Sequence, residues 1–263
     1  MKKCLLKSIC MKKSKLLICI ISLLSVSVVV FSVLSSPAKM KRITNPFYNQ
    51  IVDNMRAPFQ LKEILTGING KVNNCIFLGQ IHTIKTYEVS WKDDNGEQWG
   101  PYIKSLLEVE IVKDYTGECP SHKKNIVIAY PYAISALETN TVLLYENKDY
   151  LFTNCWRIDD SYIKYANERD PSGSWANDPF LKEADMISGV SWCSIAPVSE
   201  GKVFLYHGYF EGMPQAKDLI LPVEGLKCEM LTSEDALISG DFVVFPLADF
   251  EECFDQLLSE LLQ

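Results

Sequence analysis

The chain has 263 residues, 48% hydrophobic and 22% charged, with 26 basic and 33 acidic side chains. That composition excludes a disordered tail, a collagen and a small disulfide knot, because it holds enough apolar material for a packed core. The charge divides sharply: residues 1–42 carry nine Lys or Arg and no acid, which leaves 17 basic against 33 acidic side chains, a formal −16, for residues 43–263.

Lys2, Lys3, Lys7, Lys12, Lys13 and Lys15 make residues 1–15 a basic tail, and an uncharged apolar run follows from Leu16 to Leu34. At about 1.5 Å rise per residue, a helix of that length matches a hydrocarbon core, and a single such run excludes a polytopic membrane protein. Six lysines before the run, against Lys39, Lys41 and Arg42 after it, predict a cytoplasmic amino terminus. The length of the run favours an uncleaved transmembrane anchor over residues 16–36, giving a single-pass cell-membrane protein. A signal peptide cleaved near Ala38, giving a secreted protein, is the alternative; Ser36-Pro37-Ala38 and Val33-Leu34-Ser35 are its candidate sites. Both readings make residues 43–263 an extracytoplasmic globular domain.

Export would place Cys75, Cys119, Cys155, Cys193, Cys228 and Cys253 in an oxidising compartment. An even number permits disulfides and leaves their connectivity open. Buried free thiols are the alternative, because a body of this size is stable without crosslinks. Cys119, in Gly117-Glu118-Cys119-Pro120, has the most exposed, turn-like setting. No pair is spaced CxxC and the three histidines are scattered, so no metal and no cofactor is expected.

Residues 43–66 read as one or two short helices packed on the body, with Asn45 as a cap, Pro46 in the first turn and Phe47, Ile51 and Met55 on one face. From residue 75 the period becomes two. Cys75, Phe77, Ile81, Tyr87, Val89 and Trp91 share one parity, with Gly79 as a bulge or bend. Asp93-Asp94-Asn95-Gly96 is a hairpin turn. Leu107, Val109 and Ile111 mark the second strand, residues 125–130 the third, and residues 142–145 and 150–156 a fourth and fifth.

Five short strands, the first long and bent at a glycine, suit a small closed or partly closed barrel. Phe77-Leu78-Gly79-x-Ile81, Leu107-x-Val109-x-Ile111 and Asp149-Tyr150-Leu151-Phe152 resemble the OB-type, netrin-like barrel modules of exported bacterial proteins and of the tissue inhibitors of metalloproteases. The resemblance covers residues 75–156 and implies a scaffold used for binding. The animal inhibitors chelate their target's metal through a cysteine at the mature amino terminus; processing exposes no cysteine here, so that activity does not carry over.

Residues 157–200 form a polar and aromatic excursion of weak periodicity, either a functional loop or a set of short helices. Residues 201–263 supply strands at 203–210, around 219–221 and at 241–245, then a helix opened by Pro246. The expected fold is therefore mainly β (α+β), a small OB-like antiparallel barrel with flanking helices, preceded by one amino-terminal transmembrane helix.

Gly189-Val190-Ser191-Trp192-Cys193 resembles a nucleophile elbow but lacks its second glycine. A hydrolase would use Cys193 or Ser191 with His207 as base, if the fold brought them together. His207 shares the parity of Val203 and Leu205, which fits a hydrogen-bonded core histidine; His82 lies on a polar face and His122 in a loop. Asp159, Asp160, Asp170 and Asp178 offer hard oxygen ligands, without the spacing of a calcium loop. Trp91, Trp99, Tyr102 and Trp175 are the candidate binding residues, a platform for a peptide, glycan or protein ligand. The −16 charge excludes nucleic acid, whose phosphates need a basic footprint. The leading expectation is a membrane-tethered extracytoplasmic binding module with no evident catalytic site, its membrane contact running from Leu16 to Leu34. The alternatives are the exported hydrolase and a structural envelope protein.

Overall fold

The computed structural model describes residues 38–43, 61, 65, 74–120, 123–131, 142–189, 194–211, 213–231 and 235–261. Among the described residues nine strands run as β1 (Lys39–Ile43), β2 (Asn74–Lys92), β3 (Gln98–Asp114), β4 (Asn125–Tyr130), β5 (Lys148–Arg157), β6 (Met186–Ser188), β7 (Ile195–Ser199), β8 (Lys202–Tyr206) and β9 (Phe242–Pro246). The helices are α1 (Asp160–Arg169), α2 (Phe180–Glu183), α3 (His207–Phe210), α4 (Asp235–Ile238) and α5 (Leu247–Leu261), with a 3₁₀ turn at Pro214–Leu219. The fold is mainly β. Among the described residues no helix is long and apolar enough to cross a membrane; the expected anchor at 16–36 lies outside them.

The strands form one sheet, ordered β1-β2-β3-β4-β6-β5-β7-β8-β9, in which β2 also pairs with β5. That extra pairing turns β2-β3-β4-β6-β5 into a ring. All its pairings are antiparallel except the parallel one between β4 and β6. β1 lies outside the ring on the far half of β2, and β7-β8-β9 extend it beyond β5.

The ring is filled by the inward side chains of its strands. Phe77 stacks on Phe152 at 4.7 Å, and Ile81, Leu107, Val109, Ile128 and Tyr150 are buried around them. The alternate residues Ile76, Leu78 and Leu151 join a second core beneath α5, where Phe250, Phe254 and Leu257 cover β8 and β9. β2 is thus apolar on both faces in its first half because both faces are covered.

The long strand does not hold one parity throughout. Ile81 faces Val109 but Thr83 faces Glu108, so the register slips by one residue at His82. Beyond the slip Ile84 packs on the ring interior, while Tyr87, Val89 and Trp91 turn to a third cluster with Leu106 and Phe180. One slip moves every following side chain to the opposite face. At Gly79, where a bulge or bend is expected, a second register shift falls between Leu78 and Gly79, and a Cβ there would stand 2.6 Å from Val109 Cγ1.

Other expectations change. Residues 142–145 are not a strand: Val142 makes an isolated bridge to Leu231, and the Tyr150 hydroxyl takes the backbone positions of a ladder, accepting from Tyr145 N and donating to Leu143 O. β6, from the excursion, closes the ring instead. Strand β8 stops at Tyr206, where α3 begins, and residues 219–221 leave a 3₁₀ turn with a single bond from Leu221 N to Val244 O. Pro246 ends β9 rather than opening α5. Of the helices expected at 43–66, Leu61 and Leu65 are helical and residues 44–60 lie outside the described residues; Lys39 to Ile43 form a strand because the edge of β2 supplies its hydrogen bonds.

Candidate functional site

The β2–β3 hairpin reaches beyond the ring and ends in the turn Asp93-Asp94-Asn95-Gly96. The Asp93 carboxylate organises it, with Oδ1 accepting from Asn95 N at 2.9 Å and Glu97 N at 2.8 Å, and Oδ2 from the Trp99 indole at 3.4 Å. Trp91 and Trp99 are paired in the register, and the Trp91 and Tyr102 rings lie 5.6 Å apart. Gly100, at φ +89°, lets β3 pass against β2, since a Cβ there would be 2.4 Å from the Val89 carbonyl. A cleft of about 300 Å³ opens at this end, lined by Lys39, Trp91, Lys92, Gln98 and Pro101 among others.

The excursion docks on the same tip. Asp170 folds residues 170–175 about its own carboxylate, accepting from the Ser172 and Ser174 hydroxyls and from Trp175 N at 3.0 Å. Those bonds, led by the Ser172 hydroxyl, hold the Asp170 carboxyl below the usual carboxylate range, at about 2. The folded segment then bonds the hairpin. Asp94 N donates to Ser172 O at 2.9 Å, the Trp91 indole to Ser174 O at 2.7 Å, and the Asn177 amide to Asp94 at 2.8 Å.

Beneath lies a partly desolvated ion pair. Lys104 bonds Asp178, with side-chain exposures of 17% and 11%, and its ammonium stands 4.7 Å over the Trp91 ring and 5.8 Å over Tyr102. Asp178 also accepts from Phe180 N at 3.0 Å, which ties α2 to the site.

The structure therefore brings Trp91, Trp99 and Tyr102 together with the segment that carries Trp175, across 72 intervening positions of sequence between Tyr102 and Trp175. They differ in exposure. Trp91 is only 6% exposed and serves the interior, Trp99 and Tyr102 are half-buried, and Trp175 is 49% exposed. Lys104 carried no sequence signal, being one charged residue on an alternating strand. The Asp170-Pro171-Ser172-Gly173-Ser174 turn was readable as turn chemistry, but not its docking place.

The remaining candidates lie elsewhere. Ser191 and Cys193 fall outside the described residues. His207 is half-buried at the start of α3, its ring beside Tyr206 and its Nδ1 3.4 Å from the Asp241 carbonyl. His82 pairs with Glu110 at 2.9 Å on the outer face of β2. Asp159 caps α1 and Asp170 and Asp178 are engaged as above; among the described residues no three His, Cys, Asp or Glu side chains are grouped to hold a metal ion. Cys75, Cys119, Cys155 and Cys253 are buried thiols and Cys228 is half-buried. Cys119 is 4% exposed, because its loop folds over the start of β2 instead of projecting into solvent.

No protein-family model, curated protein or solved structure matches the chain.

Proposed function

We propose that this chain is a membrane-tethered extracytoplasmic binding module built on an OB-type barrel, with the hairpin tip and the docked excursion as its contact surface. One observation carries the reading: the aromatic surface lies at the tip of the hairpin formed by the first and second ring strands and on the connection between the fourth and fifth. Those two connections and the adjoining strand face are where OB barrels take extended ligands such as oligosaccharides and oligonucleotides. The ring order, with its single parallel pairing, supports the barrel assignment. The −16 body disfavours an oligonucleotide.

Trp175 offers an exposed face for stacking, and Trp99 and Tyr102 offer partly exposed edges on a rigid ribbon. Lys39 and Lys92 at the adjoining cleft add hydrogen-bond donors. Flat aromatic faces with a few polar groups suit a glycan or an extended peptide. The test is a panel of soluble oligosaccharides and peptides titrated against the detergent-solubilised full chain, followed by tryptophan fluorescence. A ligand found this way should lose at least about tenfold in affinity with Trp175→Ala and more with Trp99→Ala added, as expected for aromatic anchors. Undiminished binding by the double variant refutes this surface.

A further inference from the structure

Three cysteines gather at one end of the ring interior, away from the contact surface. Cys75 lies near the start of β2, Cys155 is its register partner on β5, and Cys119 follows β3 in the loop that returns over β2. All belong to one buried cluster, at 0%, 0% and 4% exposure. The Cys75 thiol donates to the Glu118 carbonyl at 3.3 Å, one peptide unit from Cys119, and the Cys119 thiol lies close enough to Cys75 for its pKa to be pushed up by it. Hydrogen bonds from backbone amides hold this approach without any help from sulfur. Tyr115 N donates to Ile76 O at 3.0 Å, Ile76 N to Thr116 Oγ1 at 3.2 Å, and Cys119 N to Asp114 Oδ2 at 3.0 Å.

We propose that Cys75 and Cys119 are joined by a disulfide in the exported protein, with Cys155 left as a thiol. The choice between the two partners of Cys75 is geometric. Directly opposite residues on antiparallel strands keep their Cβ atoms about 4.5–5.5 Å apart, beyond the usual 3.5–4.5 Å of a disulfide. Cys155 also faces Ser188 across the β5–β6 pairing. Cys119 sits on a loop, free to supply the direction of approach that a ladder position lacks. Cys253 belongs to the other core, under α5, and is no competitor.

The chemistry is a two-electron oxidation by thiol–disulfide exchange. Both thiols give up their protons and a bond forms between the two Sγ atoms. The electron pair reduces the disulfide of an external oxidant, which leaves as two thiols. Contact with Cys75 and burial push the folded Cys119 thiol far from its thiolate form. Exchange therefore belongs to the folding chain, before the loop closes, and the finished bond is shielded from reductants. The crosslink fastens the β3–β4 loop to β2.

This proposal rests on the export part of the reading above, since the cytosol keeps dithiols reduced. Trypsin separates the three cysteines into peptides 72–85, 114–123 and 149–157. The full chain, expressed with its leader in a bacterium, is acid-quenched, alkylated under denaturing conditions and digested without reduction. The expected result is peptide 72–85 crosslinked to 114–123, with 149–157 alkylated. An exported body with all three alkylated, or with 72–85 joined to 149–157, overturns the proposal. A second arm separates the two claims: purified full chain is unfolded, then refolded in mixed reduced and oxidised glutathione. The 72–85 to 114–123 link must form there whatever the cellular compartment, and its absence overturns the proposal independently of export. Closure of this loop also predicts an unfolding constant about a thousandfold larger in Cys119→Ser than in the oxidised parent.

Discussion

Replacing Lys104 with Met keeps an unbranched stem between Trp91 and Tyr102 but removes the charge that neutralises Asp178. The pair is desolvated to 17% and 11% exposure, so the orphaned carboxylate would retain only the Phe180 amide as an identified donor. Breaking a buried ion pair from one side costs about 3–5 kcal/mol, and loss of the ammonium from the two rings adds up to about 1 kcal/mol. Residual water access at both groups places the total near the lower limit, at about 3 kcal/mol. Adding Asp178→Asn removes the stranded charge while keeping an oxygen for the Phe180 amide. The double variant should therefore recover about 2 kcal/mol relative to the sum of the single changes. Urea unfolding of the four proteins of this cycle, followed by far-ultraviolet dichroism and tryptophan fluorescence, measures the coupling. A Lys104→Met loss below about 1 kcal/mol, with additive effects, would show a solvent-screened pair and refute the reasoning.

Gly79→Val tests the close packing of the first bend. Its Cβ would begin 2.6 Å from Val109 Cγ1 and 3.2 Å from the Glu110 carbonyl, so a stability loss of about 1–3 kcal/mol is expected by thermal unfolding. Asp170 gives a pH signature. Its folded pKa of about 2 lies below the ordinary 3.8, so its contribution to stability is present above about pH 4 and is lost as pH falls towards 2. Asp170→Asn should flatten the melting temperature against pH across that window, and an unchanged slope would contradict the assignment.

What the sequence makes legible is set by burial pattern. β2, β3, β4, β5 and α5 are long or regular enough for their alternation or helical stripe to show, and each lies close to where the periodicity puts it. β6 has three residues, too few to display any period, yet it closes the ring; the more apolar 142–145 segment does not, because the Tyr150 hydroxyl takes its backbone bonds. β1 reads Lys-Met-Lys-Arg-Ile and gains its strand character only from the edge of β2. Parity misleads beyond His82 because a one-residue slip leaves no mark in composition. At the site, aromatic density beside a strong turn pointed to Trp91, Trp99 and Tyr102. Which of them is buried depends on the docking of residues 170–178, a long-range contact that spacing does not encode.

The most direct measurement of the central claim is the side of the membrane on which the body lies. Full chains carrying either a reporter active only outside the cytoplasm or one active only inside it, each fused after Gln263, are compared in the same cells. The account predicts activity from the first and silence from the second, with the fusion retained in the membrane after alkaline extraction. Activity from the inside reporter alone would place the acidic body in the cytoplasm and contradict it.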